Sequence, residues 1–301
     1  MTYLYNLYCQ TISLPFPCEF LPPAEARTVP DVTVAYGAVP RDLTGAVASG
    51  ENRQLGYAWQ AARDRFLFKG GVGSARFLVE GCSRVTVERN FPVQDERLLD
   101  HFLHPVSAVL FRQQGFLTLH ACAACYAGDA VVLCGPSRAG KSTTLAAVLR
   151  KGGRMLSDDL SVLRLGPEGV AEVLPGPPKV DLRENAEHSF DIDIPGAVRG
   201  QAPRGKGALL APGELGGQPA PLRKLHIIEP YPGEDVSVSR LSGLDGFDAL
   251  LGCVYGLTFP DQHPGLFTLL STVLRQADVI LIQRPEHRWS LHEVLKVVLD
   301  G

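Results

Sequence analysis

The chain has 301 residues, of which 45% are hydrophobic and 20% are charged. This is the composition of a soluble globular protein, and the length is enough for one large domain or two of ordinary size. The 29 basic and 32 acidic residues give a formal net charge of -3, so the sequence has neither the basic stripe of a duplex nucleic-acid binder nor an acidic tail. We therefore expect no nucleic-acid partner.

Membrane and export signals are not found in the sequence. No apolar run approaches the roughly 18 residues that a spanning helix needs, and Met1–Tyr5 lacks the charged start and apolar middle of a secretory signal. The seven cysteines are an odd number in mostly apolar surroundings, which favours free thiols in a reducing compartment. Cys122 and Cys125 have the spacing of a redox or zinc pair, but no second pair completes such a site. We expect a cytoplasmic protein with no membrane partner.

The N-terminal part of the chain has the alternating pattern of short strands. Strands are predicted over residues 31–36, 65–69, 75–80 and 84–88. Residues 95–114 then carry apolar side chains at helical spacing, and His104-Pro105 is expected to kink or split that helix. We therefore predict a β-rich N-terminal domain over 1–93 and a linking helix over 94–115, with a boundary near 115 as the alternative.

Strands and helices alternate in the rest of the chain. The pattern predicts strands over 117–122, 130–134, 155–157, 160–165, 225–229, 236–240 and 278–283, and helices over 141–151, 246–255, 265–275 and 291–300. The first two of these strands flank a predicted hairpin turn at Gly128-Asp129. Such alternation is typical of an α/β domain.

One segment holds much of the glycine and proline of the chain. Between Pro195 and Pro221, 12 of 27 residues are glycine or proline. This composition predicts a mobile loop over residues 190–221, suited to a lid or a connector. A cation near it could stabilise a transferring phosphoryl group, and the alternative for each basic residue is a solvated charge. The basic residues near this segment are Lys179, Arg183, Arg204 and Lys206.

One motif is highly specific. Residues 135–142 read Gly-Pro-Ser-Arg-Ala-Gly-Lys-Ser and match the phosphate-binding pattern G-x-x-x-x-G-K-[ST] at every fixed position. In this pattern backbone N–H groups surround phosphate oxygens, Lys141 reaches the β- and γ-phosphates, and the Ser142 hydroxyl ligates Mg²⁺. We therefore predict binding of ATP and Mg²⁺, with a glycine-rich turn that binds nothing as the alternative. The predicted nucleotide-binding residues are Gly135, Pro136, Ser137, Arg138, Ala139, Gly140, Lys141, Ser142 and Thr143.

Two adjacent carboxylates follow the motif at a distance that brings the chain back to it. Asp158 and Asp159 come 17 and 18 residues after Lys141, which is enough for a helix, a turn and a short strand. One carboxylate could accept a proton from an attacking hydroxyl, and the other could bind Mg²⁺. The alternative is an Asp-Asp turn that caps a hairpin. His120, on the strand before the hairpin turn, is a further catalytic candidate, with a structural role as its alternative.

Taken together, His120, residues 135–142 and Asp158-Asp159 resemble the catalytic domain of bacterial HPr serine kinase/phosphorylase. Members of that family have a histidine on the strand before the phosphate loop and an Asp-Asp pair after the next helix, and this chain has both in the same order. The N-terminal half is also similar to the HPr-kinase-related proteins of peptide-modification clusters, including lasso-peptide kinases. The resemblance implies γ-phosphate transfer from ATP to a serine hydroxyl. It further implies that Asp158 is the base, that Asp159 supports the metal or the substrate, and that Ser142 ligates Mg²⁺.

The sequence thus predicts an α/β protein in which a smaller β-rich N-terminal domain precedes an HPr-kinase-like P-loop domain over residues 94–301. The expected activity is ATP- and Mg²⁺-dependent phosphorylation of a serine hydroxyl on a peptide or small protein. The alternatives are a kinase acting on a small-molecule alcohol, such as a sugar, and a regulatory ATP-binding module without phosphotransfer. The acceptor, the nucleotide preference and assembly into a homo-oligomer are left open.

Overall fold

The chain divides into two units, one of Met1–Phe116 with Leu257–Gly265 and one of Leu117–Gly256 with Leu266–Gly301. The computed structural model describes residues 2–25, 29–52, 56–71, 75–89, 95–183, 198–201, 206–210, 217–255 and 265–300. Among these residues, no helix is both long and apolar enough to cross a membrane.

The first unit is built on an eight-stranded sheet with the order β1-β2-β3-β8-β7-β6-β5-β4. Its strands are β1 (Tyr3–Leu7), β2 (Gln10–Leu14), β3 (Val32–Tyr36), β4 (Ala48–Asn52), β5 (Tyr57–Ala61), β6 (Arg65–Lys69), β7 (Arg76–Glu80) and β8 (Arg84–Glu88). Only the β2–β3 and β3–β8 pairs are parallel. The four strands predicted from the sequence are confirmed as β3, β6, β7 and β8. Sequence patterning missed the other four strands, β1, β2, β4 and β5; in β4 the residues Ala-Ser-Gly-Glu-Asn lack any apolar alternation.

A helical segment follows this sheet and belongs to the same unit. It consists of α1 (Asp95–His101), a π-helical turn (Phe102–Val106) and α2 (Ser107–Gln113), with Pro105 inside the wide turn. The Phe111 ring on α2 packs edge-on against Tyr8, with ring centroids 4.9 Å apart. This contact packs the helical segment against the connection between β1 and β2. The helical segment therefore belongs to the first unit, and the units divide after Phe116. This differs from the predicted boundary at 93 and lies beside the alternative near 115.

The second unit contains the remaining twelve strands and four helices of the described residues. Its strands are β9 (Leu117–Leu119), β10 (Ala121–Tyr126), β11 (Asp129–Cys134), β12 (Arg154–Ser157), β13 (Ser161–Leu165), β14 (Ala171–Leu174), β15 (Lys179–Arg183), β16 (Val198–Gln201), β17 (Lys206–Leu210), β18 (Ala220–Tyr231), β19 (Ser237–Leu241) and β20 (Asp278–Pro285). Its helices are α3 (Lys141–Arg150), α4 (Gly243–Gly252), α5 (Leu266–Gln276) and α6 (Leu291–Asp300). A hairpin turn joins β10 and β11 as predicted, but its two residues are Ala127 and Gly128, both at positive φ, and Asp129 is the first residue of β11.

A mixed sheet with helices on both faces forms the body of the second unit. Strands β11, β18 and β20 are parallel neighbours, so their carboxyl ends meet at one edge. Apolar residues of α4 and α5 cover one face of the sheet, and those of α3 and α6 cover the other. The α/β class predicted from the sequence is thus confirmed: a β-rich part precedes a sheet covered by helices.

The glycine- and proline-rich segment contains two short strands. Strands β16 and β17 pair with β15 in a separate three-stranded sheet of order β15-β17-β16. Most of the glycines and prolines of residues 195–221 lie outside these strands, so the composition count described the connections and missed the strands between them. Residues 190–197, 202–205 and 211–216 of the predicted loop lie outside the described residues.

Candidate functional site

The glycine loop (residues 135–140) joins the end of β11 to the start of α3, as the motif requires. Gly135 has φ +135°, and a Cβ there would lie 2.1 Å from the carbonyl oxygen of Ile228 in β18. Gly140 has φ +102° and precedes the first residue of α3. The predicted strand, loop and helix are therefore confirmed, and Gly135 is required by a close backbone approach from the neighbouring strand.

The Lys141 side chain folds back beneath the glycine loop. Its Nζ donates hydrogen bonds to the carbonyl oxygens of Gly135, at 3.0 Å, and Pro136, at 3.3 Å. Only 6% of the lysine is exposed, so the two carbonyl dipoles stabilise an ammonium group that has little water around it. This arrangement fixes a positive charge at the carboxyl edge of the parallel strands, next to the N-terminus of α3.

Arg284, the penultimate residue of β20, also holds the glycine loop in place. Its Nε donates to the Ala139 carbonyl oxygen at 2.7 Å, and its Nη2 donates to the Arg138 carbonyl oxygen at 3.0 Å. Two donors of one rigid guanidinium thus hold consecutive carbonyls of the loop. Sequence reasoning missed Arg284. The rule that the carboxyl ends of parallel strands meet at one edge could have found it, since β20 was predicted to end one residue earlier.

Asp158 lies directly against the start of α3. Its Oδ1 accepts hydrogen bonds from the Ser142 hydroxyl at 3.2 Å, the Cys122 thiol at 2.7 Å and the Asp159 backbone N–H at 3.0 Å. A serine hydroxyl and a carboxylate oxygen are hard ligands of the kind that Mg²⁺ prefers. Ser142 and Asp158 therefore form a donor pair that fits this ion, adjacent to the buried ammonium of Lys141.

Cys122 is a member of this cluster that the sequence did not single out for the site. Burial raises the pKa of its thiol well above the usual value, and the negative charge of Asp158 raises it further. The thiol consequently stays protonated and acts as a hydrogen-bond donor to the carboxylate. Cys125 packs on the opposite face of β10, against the α4–α5 side, so these two cysteines do not share a site.

His120 lies in the bend between β9 and β10, between Lys141 and the turn at Asp159. Its Nδ1 is 3.2 Å from the Asp159 carbonyl oxygen, and its Nε2 is 3.4 Å from Lys141 Nζ. A carbonyl can only accept, so Nδ1 carries the proton, and the unprotonated Nε2 can accept from the ammonium. Tyr255 packs edge-on against the imidazole, and the His120 backbone N–H donates to the Cys253 carbonyl oxygen. The histidine thus has a defined orientation within the cluster.

The structure brings together the predicted residues His120, Lys141, Ser142, Asp158 and Asp159. Asp159 has φ +63°, a left-handed conformation that Asp tolerates better than most residues, and this turns the chain between β12 and β13. The described residues contain no cluster of three or more His, Cys, Asp or Glu side chains able to hold a metal on their own.

The basic residues predicted near the mobile loop are only partly described. Lys179 is buried on β15, with 8% of its surface exposed. Arg183 and Lys206 are register partners across β15 and β17, and their side chains lie outside the described part of the chain, as does all of Arg204. A role for any of them as a lid cation stays a prediction.

No protein-family model matches the chain, and a search of curated proteins finds no match.

Proposed function

We propose that the second unit is an HPr-kinase-like P-loop domain that transfers the γ-phosphate of ATP to a hydroxyl group. The proposed acceptor is a serine of a peptide or small protein. The observation that carries this proposal is the contact of Asp158 with Ser142, 3.2 Å from Oδ1 to Oγ, beside the glycine loop. A nucleotide-binding loop alone accounts for affinity. An acidic pair seated against that loop adds groups that can hold a metal and accept a proton.

The glycine loop and Lys141 supply the positive field for the phosphates. The N-terminus of α3 presents backbone N–H groups, and the Lys141 ammonium donates hydrogen bonds to two loop carbonyls. These carbonyls are neutral, so they hold the ammonium in place without cancelling its charge, which can attract a phosphate oxygen. Bound Mg²⁺-ATP supplies the phosphoryl group and the charge neutralisation that its transfer needs.

The contacts favour a division of roles between the two aspartates that reverses the sequence prediction. Asp158 Oδ1 already accepts three hydrogen bonds, one of them from the Ser142 hydroxyl. Asp158 is therefore the better candidate for binding Mg²⁺ together with Ser142. Asp159 is half-buried on the adjoining turn and is then the candidate base that takes the proton of the attacking hydroxyl. His120 positions that turn through its bond to the Asp159 carbonyl oxygen.

Paired substitutions of the two aspartates test the proposal. The full chain would be incubated with Mg²⁺-ATP and either serine-containing peptides or sugars, and the products identified by mass spectrometry. We expect Asp159→Asn to abolish transfer with ATP binding retained, and Asp158→Asn to weaken the apparent affinity for Mg²⁺. Asp245→Asn, an exposed carboxylate on α4, is the matched control. Phosphorylated sugars with no phosphopeptide would favour the small-molecule alternative. ATP binding without transfer to any acceptor would contradict the kinase proposal.

A further inference from the structure

A cavity of about 380 Å³ lies between α3 and α6. Thr143, Ala147 and Arg150 line it from α3, and Trp289, Leu291 and His292 line it from the start of α6 and the residue two before it. The volume falls in the range of small-ligand sites, which begins at about 300 Å³. The cavity therefore has the size and the mixed apolar and polar lining of a site for a small molecule.

The cavity begins one residue away from the proposed phosphate site along the chain. Thr143 directly follows Ser142, the hydroxyl that contacts Asp158, and lies in the first turn of α3. Arg150 lies two turns further along the same helix, about 10 Å away at 1.5 Å per residue. A ligand whose phosphates are held at the start of α3 can thus extend along this helix into the cavity.

Trp289 gives the cavity its chemical character. Its side chain is 54% exposed and lines the cavity, and an indole offers a broad flat surface with one N–H donor at its edge. Ala147 and Leu291 supply apolar surface, and Arg150 and His292 supply polar groups. A flat heteroaromatic ring with polar edges matches this combination, because stacking on an aromatic side chain is favourable for every nucleobase.

A second cavity on the unit lacks these properties. It has a volume of about 620 Å³, and its lining includes Asp235, Glu293 and Asp300 but no residue of the glycine loop or of α3. Its lining also includes the cations Arg288 and Lys296, so the three carboxylates outnumber the positive charges there. The cavity beside α3 has no carboxylate among its lining residues.

We propose that the cavity between α3 and α6 is the nucleobase subsite, in which the base of the bound nucleotide stacks on the Trp289 indole. This inference rests on the proposed function, since the phosphates of the same nucleotide occupy the glycine loop. The polar side chains of the lining are mainly donors, and a stacking platform recognises all purines, so ATP and GTP bind with affinities within about tenfold of each other.

Tryptophan fluorescence tests the subsite without any measurement of activity. The chain has two tryptophans, and the other one, Trp59, is buried in the first unit. In a Trp59→Phe protein, Mg²⁺-ATP should quench the fluorescence of Trp289, whereas Mg²⁺-tripolyphosphate, which has no base, should bind without quenching. The difference between the wild-type and Trp289→Phe proteins gives the same reading if Trp59→Phe does not fold.

Calorimetry of the same ligands separates the subsite from the phosphate site. Trp289→Ala should weaken ATP binding by about tenfold and leave tripolyphosphate binding unchanged, whereas Trp289→Phe should retain most of the affinity. Phe267→Ala, a variant of another exposed aromatic residue of this unit, is the matched control.

Each remaining outcome overturns a specific statement. If ATP and tripolyphosphate bind but neither quenches, and Trp289→Ala binds ATP as the wild type does, the subsite is wrong and the proposed function stands. Quenching by an acceptor peptide in place of the nucleotide would reassign the cavity to the acceptor. If neither ATP nor tripolyphosphate binds, the proposed function itself fails.

Discussion

The two glycines of the phosphate motif are expected to differ sharply when each is replaced by alanine. Both have positive φ, +135° at Gly135 and +102° at Gly140, and a left-handed backbone costs an L-residue about 1–2 kcal/mol. Their surroundings are different. A Cβ at Gly140 would meet its nearest atom, Arg284 Nε, at 3.7 Å, which is an ordinary contact, whereas a Cβ at Gly135 would lie 2.1 Å from the Ile228 carbonyl oxygen.

The clash at Gly135 cannot be relieved by a side-chain movement. Ile228 O is a backbone atom of β18, and the preceding residues Cys134 and Ile227 are register partners in the parallel β11–β18 pair. Forcing a group into such a site costs about 1–3 kcal/mol beyond the backbone strain. Gly140→Ala should therefore lower the free energy of unfolding by about 1–2 kcal/mol and Gly135→Ala by about 2–5 kcal/mol.

Urea unfolding of the second unit measures this difference. In a Trp59→Phe background, Trp289 is the only tryptophan and its fluorescence reports on that unit alone. ATP binding, measured by calorimetry, should be weakened by both substitutions and lost first in Gly135→Ala. Equal losses of stability in the two variants, or a larger loss in Gly140→Ala, would refute the close approach of β18 to the loop as the reason for Gly135.

Further predictions concern Arg284, Cys122 and His226. Arg284→Lys should weaken ATP binding about tenfold in calorimetry, because an ammonium cannot replace the paired hydrogen bonds to the carbonyls of Arg138 and Ala139. An unchanged affinity would show that these two hydrogen bonds do not hold the loop in its binding conformation. Iodoacetamide at pH 8 should modify the exposed Cys9 of the folded protein and spare Cys122, which is buried and whose raised pKa keeps it protonated. Peptide mass spectrometry identifies the modified cysteines, and modification of Cys122 before Cys9 would contradict this prediction. Burial lowers the pKa of His226 to about 4 from an ordinary 6.5, so the unfolded chain binds a proton before the folded one does as the pH falls. Stability should drop by about 3 kcal/mol between pH 6.5 and 4 from this group, and His226→Gln should unfold in urea with a correspondingly weaker pH dependence over that range.

Local chemistry in the sequence was sufficient for the strand, loop and helix around residues 130–150. The motif needs glycines at fixed places and a helix start at Lys141, and each of these requirements is met within a few residues along the chain. Spacing also brought Asp158 back to the loop, because one helix and one short strand have predictable lengths. Local patterns left the unit boundary open between 93 and 115, because Tyr8, which contacts the linking helix, lies about a hundred residues earlier in the chain.

The roles of neighbouring residues depended on contacts between distant parts of the chain. Asp158 and Asp159 are chemically equivalent in the sequence, and only the left-handed turn at Asp159 directs one carboxylate to Ser142 and leaves its neighbour on the bend. Arg284 lies 145 residues from Ala139, and it reaches the glycine loop because β20 and β11 run parallel on either side of β18. A pattern in the sequence contains information only about residues that are close together in the chain. The packing of parallel strands, which joins residues far apart in the chain, is decided by the fold as a whole.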